Sequence, residues 1–259
     1  MLPQIVINKV VTEALLEDLG VAGDITTQAT VDETTMARAE IVSRGTGILS
    51  GLDIAVAAFH LIDPSTLVER YKEDGEVLHA GDVVAEVKAK ARSILTGERV
   101  ALNFLCHLSG ISTRTRSYVD AVKGTKAKII DTRKTTPNLR VFEKYAVQCG
   151  GGHNHRTGLF DGILIKDNHI VAAGGVEAAI KKAKAQCGHM IKLEIEVETL
   201  EQLETVLAYQ VDAILLDNMT LTHLQTAVQR VGGRALTEAS GGITLQSVRP
   251  VAETGVDLI

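Results

Sequence analysis

Basic residues are concentrated in one stretch of the chain, and their types are suited to binding anions. Between residues 133 and 169 the sequence has six lysines and arginines and three acids, although the whole chain has a net charge of −5. A basic cluster is often no more than a solvated face. Here the bases stand beside glycines and at the ends of predicted strands, which favours a pocket for carboxylates or phosphates. The six bases are Arg133, Lys134, Arg140, Lys144, Arg156 and Lys166.

Acidic and glycine-rich segments end other predicted strands. Glu196 and Asp217 offer oxygen atoms to sugar hydroxyls or, through water, to Mg²⁺. Ser240, Gly241 and Gly242 precede a helix predicted to begin near residue 245 and offer backbone N–H groups to a phosphate. Each residue alone also has a plain structural interpretation, such as a turn residue or a surface charge. Together they indicate a pocket for a phosphorylated sugar and a second, anionic ligand.

The elements that must position these residues alternate between strand and helix in the second half of the chain. This alternation is typical of βα units around a parallel sheet. Six or more such units favour a closed or nearly closed barrel, with its chemistry at the carboxyl ends of the strands. Strands are predicted at 127–131, 162–165, 191–197, 213–216, 234–237 and 256–259, and helices at 176–187, 199–209, 222–231 and 245–254.

The first half has a different pattern. An amphipathic helix is predicted at 8–19, short strands with glycine turns at 37–90, and an apolar helix at 53–61. Residues 74–87 form two short alternating runs around the Ala80-Gly81-Asp82 turn. Residues 94–122 predict one long helical region that is broken near Ser109 and Gly110.

Composition excludes several classes of protein. A chain of 259 residues with 45% hydrophobic residues can bury a sizeable core without a disulfide or a structural metal. Its three cysteines form no CxxC pair, which favours a reducing cytosol. The negative net charge and 3% aromatic content argue against a nucleic-acid-binding protein. The N-terminus does not resemble a signal peptide, and no apolar run is long enough to span a membrane.

Short motifs follow one another along the whole chain, at residues 17–20, 23–26, 96–103, 108–111, 131–137, 144–147, 150–152, 154–156, 164–170, 215–219 and 238–242. Any one motif is weak evidence, whereas the full set in order is specific. Together they resemble the quinolinate phosphoribosyltransferase family, also called carboxylating nicotinate-nucleotide pyrophosphorylases, of the type II phosphoribosyltransferases.

The resemblance implies a fold and an assembly. It implies an N-terminal α/β sandwich domain, here residues 1–105, and a C-terminal incomplete α/β barrel, here residues 106–259. It also implies a homodimer, in which the N-terminal domain of one subunit covers the barrel mouth of its partner.

The resemblance further implies a reaction. Quinolinate and phosphoribosyl pyrophosphate, with Mg²⁺, would give nicotinate mononucleotide, pyrophosphate and CO₂, a step of NAD synthesis. The catalytic residues would be Lys134, Lys166, Glu196 and Asp217, and the last two would also face the metal, directly or through water. The other substrate-binding residues would be Arg99, Thr132, Arg133, His155, Arg156, Ser240, Gly241 and Gly242, with Arg99 serving the partner's site. Because the implied reaction needs no nucleophilic serine or cysteine, we expect the three cysteines to be inert core residues.

Other functions stay open at this point. A related phosphoribosyltransferase associated with molybdenum uptake shares the fold and many motifs, and a relative that uses nicotinate without decarboxylation would need fewer cations. Residues 74–87 resemble half of a biotinyl or lipoyl carrier domain, although no lysine occupies the turn. A non-catalytic ligand-binding barrel is a further alternative.

The last residues prompt one more expectation. The sequence stops at Ile259 within a predicted strand, whereas family members continue into a loop that helps to hold the 5′-phosphate. We therefore expect the natural protein to be longer, and the final strand to leave an apolar edge.

Overall fold

A computed structural model describes residues 2–259, and its chain passes three times between two units. Unit 1 contains the residues up to 116 together with 135–151, and unit 2 contains residues 117–134 and 152–259. The predicted boundary between residues 105 and 106 falls inside a helix, Ala91–Ala121. The chain therefore changes unit within that helix and returns for one further helix.

Unit 1 combines helices with antiparallel strands. The three-stranded sheet has the order β1-β5-β3, and β2 pairs with β4. Helix α4 begins in this unit and ends in unit 2. In chain order the elements are α1 (Gln4–Leu19), α2 (Ile25–Thr30), β1 (Met36–Val42), β2 (Gly47–Ile48), α3 (Leu52–Ile62), β3 (Leu67–Arg70), β4 (Val77–Leu78), β5 (Val83–Lys90), α4 (Ala91–Ala121) and α5 (Arg140–Cys149).

Helical spacing explains how α1 joins the core of unit 1. Ile7, Val11 and Leu15 are four residues apart, lie on one face and are buried. They pack in one cluster with the apolar face of α3 and with Phe142 and Ala146 of α5. The amphipathic helix predicted at 8–19 is thus confirmed, with an earlier start at Gln4.

Helix α4 is continuous through Ser109 and Gly110, so the predicted break is wrong. Leu108 and Ser112 on either side are fully buried, and the Ser112 hydroxyl donates to the backbone oxygen of Ala146 at 2.7 Å. One mid-helix glycine costs about 1 kcal/mol relative to alanine. This packing outweighs that local cost.

The turn predicted at Ala80-Gly81-Asp82 is present, with Gly81 at a φ of +92°. The two strands that flank it do not pair with each other, however. Strand β4 pairs with β2, whereas β5 pairs with β1 and β3. Local alternation predicted the strands but carried no information on their partners.

Unit 2 is built on a parallel sheet of order β6-β7-β8-β9 with helices between the strands. The apolar sides of the strands pack on those helices in one cluster. Its elements are β6 (Ile163–Ile165), α6 (Asp167–Ala173), α7 (Val176–Gln186), β7 (Leu193–Val197), α8 (Leu200–Leu207), β8 (Ala213–Asp217), α9 (Leu221–Val231), β9 (Leu236–Ser240) and α10 (Val248–Glu253).

Isolated parallel bridges extend this sheet beyond β9. Leu258 pairs with Glu238 on one side and with Lys128 on the other, and Ile130 pairs with His153. The strands predicted at 127–131 and 256–259 are therefore present only as bridged segments, and the strand predicted at 234–237 lies at 236–240. Because residues 257–259 have neighbours on both sides, the expected apolar edge is not found.

The cysteines differ from the prediction. Cys106 is exposed and the other two cysteines are partly buried, so the prediction that all three belong to the core is wrong.

Within residues 2–259, none of the helices combines the length and apolar character that a membrane crossing needs.

Candidate active site

The ends of three parallel strands bring Lys166, Glu196 and Asp217 to one edge of unit 2. Lys166 follows β6, Glu196 lies near the end of β7, and Asp217 ends β8. The Lys166 Nζ lies 4.0 Å from the Glu196 Oε2, and the Glu196 side chain is 14% exposed. The sequence-predicted catalytic lysine and the two carboxylates thus share one edge, with the lysine beside Glu196.

Three carboxylates form an oxygen-rich cluster at this edge. One oxygen atom from each of Glu196, Glu198 and Asp217 lies within 4.8 Å of the others. Burial raises the pKa of Glu196, and the negative charge of Asp217 raises it further, while Lys166 opposes the shift. Hard oxygen donors with excess negative charge suit Mg²⁺, so the residues fit the metal that the resemblance implies.

Asn218, the residue after Asp217, links the end of β8 to the glycine-rich segment after β9 through hydrogen bonds and close packing. The Asn218 side chain donates to the Asp217 Oδ2 at 2.6 Å, and the Asn218 backbone N–H donates to the Ser240 oxygen at 2.9 Å. Gly241 has a φ of +99°, and a Cβ atom there would lie 2.1 Å from the Asn218 Oδ1. Only glycine fits this position.

The predicted phosphate segment differs from expectation in one respect. Ser240 ends β9 and pairs with Asp217 at the end of β8, and Gly241 and Gly242 follow it. The helix expected near residue 245 begins at Val248 and has six residues, because residues 243–247 form an irregular turn. Phosphate contacts would therefore come from the glycine turn and not from the helix.

His155 lies in a buried hydrogen-bond cluster of unit 2. Its Nε2 is 2.7 Å from the Glu194 Oε2 and 3.6 Å from the Glu238 Oε2. Its Nδ1 accepts a hydrogen bond from the Arg156 backbone N–H at 2.7 Å. The backbone N–H of His155 donates to the Asp131 Oδ1. Burial, followed by the Glu194 carboxylate, raises the pKa of Glu238 to about 9, so Glu238 is neutral at pH 7.

Arg133 and Arg156, two arginines of the predicted anion pocket, influence each other electrostatically in unit 2. The Arg156 Nη1 donates to the Gly162 oxygen at 3.1 Å. Burial lowers the pKa of Arg156, and the positive charge of Arg133 lowers it further. The two guanidinium groups therefore repel each other. The negative charges of Glu194 and Asp161 act in the opposite direction and offset part of the lowering of this pKa.

The other predicted residues divide between the two units. In unit 2 the Thr132 hydroxyl accepts a hydrogen bond from the Lys134 backbone N–H at 3.0 Å, and both residues are exposed. Arg99 is exposed on α4 in unit 1. Arg140 and Lys144 also lie in unit 1, on α5, so the basic stretch of the sequence is divided between the two units.

Three acids with no predicted role belong to these clusters. Glu194 and Glu238 are buried against His155, and Glu198 joins Glu196 and Asp217. A signal was present in the sequence: glutamates alternate with apolar residues from 193 to 198, and the period of two puts the glutamates on one face of the strand.

Comparison with known proteins shows which family the chain belongs to. Residues 24–109 match the quinolinate phosphoribosyl transferase N-terminal domain, and residues 111–259 match the C-terminal domain of the same family. The chain belongs to the quinolinate phosphoribosyltransferase family. The family assignment predicted from the sequence is confirmed, and so is the mixed α/β fold with an N-terminal sheet domain and a C-terminal parallel sheet.

Individual members of this transferase family are similar over nearly the whole chain. The "probable nicotinate-nucleotide pyrophosphorylase [carboxylating]" of Bacillus subtilis is 45% identical over 98% of this chain and 87% of its own length. The Mycobacterium leprae "nicotinate-nucleotide pyrophosphorylase [carboxylating]" is 46% identical over 96% of this chain and 89% of its own. The crystal structure of NadC from Streptococcus pyogenes has a TM-score of 0.96 at 41% identity, covering 100% of this chain and 91% of that one.

Proposed function

We propose that the protein transfers the phosphoribosyl group of phosphoribosyl pyrophosphate to quinolinate with loss of CO₂. The products are nicotinate mononucleotide and pyrophosphate, and the step belongs to NAD synthesis. The observation that carries this proposal is the 45% identity over 98% of the chain to a probable carboxylating nicotinate-nucleotide pyrophosphorylase. The clustering of Lys166, Glu196 and Asp217 at one strand edge supports it.

The dicarboxylate is assigned to the basic side of the site. Arg133 and Arg156 provide two guanidinium groups, which can each form paired hydrogen bonds with a carboxylate. Lys166 stands between this substrate and the ribose side, where it is already 4.0 Å from Glu196. Arg99, exposed on α4, adds a further cation from the partner of a homodimer.

The phosphoribosyl substrate is assigned to the acidic and glycine-rich side. Positive charge develops at the ribosyl carbon as pyrophosphate departs, and the carboxylates of Glu196 and Asp217 stabilise it. Thr132, Lys134 and the turn at 240–242 donate hydrogen bonds to phosphate oxygens.

Mg²⁺ fits the carboxylate edge and would be held there by Glu196 and Asp217, directly or through water. When bound, it neutralises charge on the pyrophosphate group. The protein's own lysines contribute to the same end, because Lys134 and Lys166 place positive charge beside the phosphates and the carboxylates of the substrates.

Loss of CO₂ follows from the first transfer. Once the ring nitrogen carries ribose it is positively charged, and it stabilises the electron pair that the departing carboxyl group leaves on the adjacent carbon. That carbon then binds a proton through the electron pair. No nucleophilic serine or cysteine takes part.

We also propose that the reaction takes place in the cytoplasm, because all three cysteines are free thiols.

A single incubation tests the proposed reaction. Purified protein with Mg²⁺ and phosphoribosyl pyrophosphate is given quinolinate in one reaction and nicotinate in another, and nicotinate mononucleotide and CO₂ are measured. We expect both products from quinolinate. Turnover of nicotinate without CO₂ indicates a non-decarboxylating relative, whereas binding without any product indicates a non-catalytic barrel.

A further inference from the structure

Two buried carboxyl groups in unit 2 have no part in the reaction proposed above. Glu194 on β7 and Glu238 on β9 are 7% and 8% exposed, and both face the ring of His155. Buried carboxyl groups are costly unless hydrogen bonds or opposite charges compensate for lost water. Their position beside a predicted substrate residue therefore calls for a function.

The hydrogen bonds of His155 determine which ring nitrogen holds the proton. Because Nδ1 accepts from the Arg156 backbone N–H at 2.7 Å, it carries no hydrogen itself. The hydrogen of the neutral ring is then on Nε2, which donates to the Glu194 Oε2 at 2.7 Å. The 3.6 Å between Nε2 and the Glu238 Oε2 is too long for a second hydrogen bond.

We propose that Glu194 is a positioning residue for the dicarboxylate pocket: its carboxylate keeps the His155 hydrogen on Nε2, so that Nδ1 holds the Arg156 backbone. This inference rests on the proposed function. The chain of contacts runs from Glu194 through His155 to Arg156, whose guanidinium is fixed at its other end by the Gly162 oxygen. Glu194 acts through these contacts and touches no substrate.

A metal ion held by the same three residues is the rival interpretation. One ligand atom each from His155, Glu194 and Glu238 lies within 4.8 Å of the others. A tetrahedral zinc ion about 2.0–2.2 Å from each ligand would keep the ligand atoms about 3 Å or more apart. The 2.7 Å between Nε2 and Oε2 is instead the length of a direct hydrogen bond.

The test reads the ring directly. Protein labelled with ¹⁵N in its eight histidines is examined without substrate by NMR, and the His155 signals are identified by their loss in His155→Gln. We expect the Nε2–H tautomer in the wild type. In Glu194→Gln the amide can donate as well as accept, so we expect a mixture of tautomers. We also expect the KM for quinolinate to rise at least about tenfold, with the KM for phosphoribosyl pyrophosphate within about twofold.

Two further variants provide controls. Glu194→Asp retains the charge and should retain the tautomer even where activity falls, which separates loss of the hydrogen bond from loss of folding. Glu204→Gln alters an exposed acid whose surface pair with Arg230 is worth little, and it should behave as the wild type.

Several outcomes would overturn the inference. These are an Nδ1–H or doubly protonated ring in the wild type, a stoichiometric metal ion by elemental analysis, or Glu194→Gln with an unchanged tautomer. A fall in kcat without a change in the KM for quinolinate would do the same. A wild type that makes no nicotinate mononucleotide refutes the proposed function alone, because the tautomer is measured without turnover.

Discussion

Lys166 and Asp217 flank Glu196 with opposite charges, and we propose separate roles for the two residues on that basis. Asp217 adds to the raised pKa of Glu196, whereas Lys166 opposes the shift. Any cation that binds beside the carboxylates, whether a metal ion or a developing ribosyl centre, relieves the repulsion between them. We propose that Lys166 in turn is the cation that the two anionic substrates share.

Substitution of each residue should therefore have a different effect. We expect Lys166→Ala to weaken binding of both substrates and to slow turnover, and Asp217→Ala to raise the Mg²⁺ concentration needed for activity while quinolinate still binds. Calorimetric titration of quinolinate into the two variants distinguishes them. A loss of more than about 1.4 kcal/mol in Asp217→Ala, which is tenfold in affinity, would contradict its assignment to the ribose side.

Glu238 couples stability to pH. Its pKa is about 9 in the folded protein, against an ordinary value of 4.5, so between these values the native state holds a proton that the unfolded chain has released. The free energy of unfolding then falls as pH rises through this window, by up to about 1.4 kcal/mol for each pH unit. Glu238→Gln replaces the neutral acid by a neutral amide and removes the dependence.

Denaturant unfolding of both proteins at pH 6, 7 and 8 measures this difference. We expect Glu238→Gln to gain stability relative to the wild type as pH rises. Parallel curves for the two proteins would show that Glu238 is ionised in the folded state.

At the scale of elements, α4 contains two glycines in opposite environments. A Cβ atom at Gly110 would have nothing within 4 Å, whereas one at Gly97 would lie 3.1 Å from the Phe59 ring and 3.4 Å from the Ala58 oxygen. Gly110 therefore carries only the conformational cost of glycine in a helix. Gly97 is needed for the close approach of α3.

These environments predict opposite effects of the same substitution. We expect Gly110→Ala to raise the free energy of unfolding by about 0.5–1 kcal/mol, because alanine favours the helix. Gly97→Ala should lower it by about 1–3 kcal/mol, because a buried contact becomes overpacked. Denaturant unfolding of both variants measures the change in the free energy of unfolding. A loss of stability in Gly110→Ala would mean that this turn of α4 needs glycine.

Sequence periodicity predicts the elements better than their partners. The helical spacing of Val11 and Leu15, the alternating pattern of β7 and the apolar run of β8 suffice to predict those elements. The continuity of α4 depends instead on tertiary contacts of Leu108 and Ser112, which no local pattern contains. Likewise, the pairing of β4 with β2 depends on which distant strand lies alongside.

The candidate site shows the same division. The sequence suffices to predict the proximity of Lys166, Glu196 and Asp217, because parallel strands end at one edge. The structure places the three residues at that edge. The contact of Glu194 with His155 could not be predicted, because it joins residues 39 positions apart in the chain through side-chain orientation.

Arg99 concerns the assembly of the whole molecule. Arg99 is exposed on α4 in unit 1, whereas Lys166 belongs to unit 2. In the homodimer that we propose, each complete site takes its Arg99 from the other subunit. The two residues of one site are then supplied by different chains.

Mixing two inactive variants tests this arrangement. We expect Arg99→Ala and Lys166→Ala to be nearly inactive alone and to regain activity when their subunits exchange, because one site of each hybrid dimer then has both groups. Exchange is verified by mass spectrometry of differently tagged subunits. No recovery in verified hybrids would exclude a shared site.

The three passages of the chain between the units set an order of events on the ribosome. Residues up to 116 emerge first, yet the core they build includes the fully buried Phe142, which is synthesised only after a segment that belongs to the other unit. At ~5–20 residues per second the nascent chain waits roughly one to five seconds for this side chain. During that interval the apolar cluster to which α1 and α3 contribute lacks Phe142, so the growing polypeptide exposes apolar surface that a chaperone can bind.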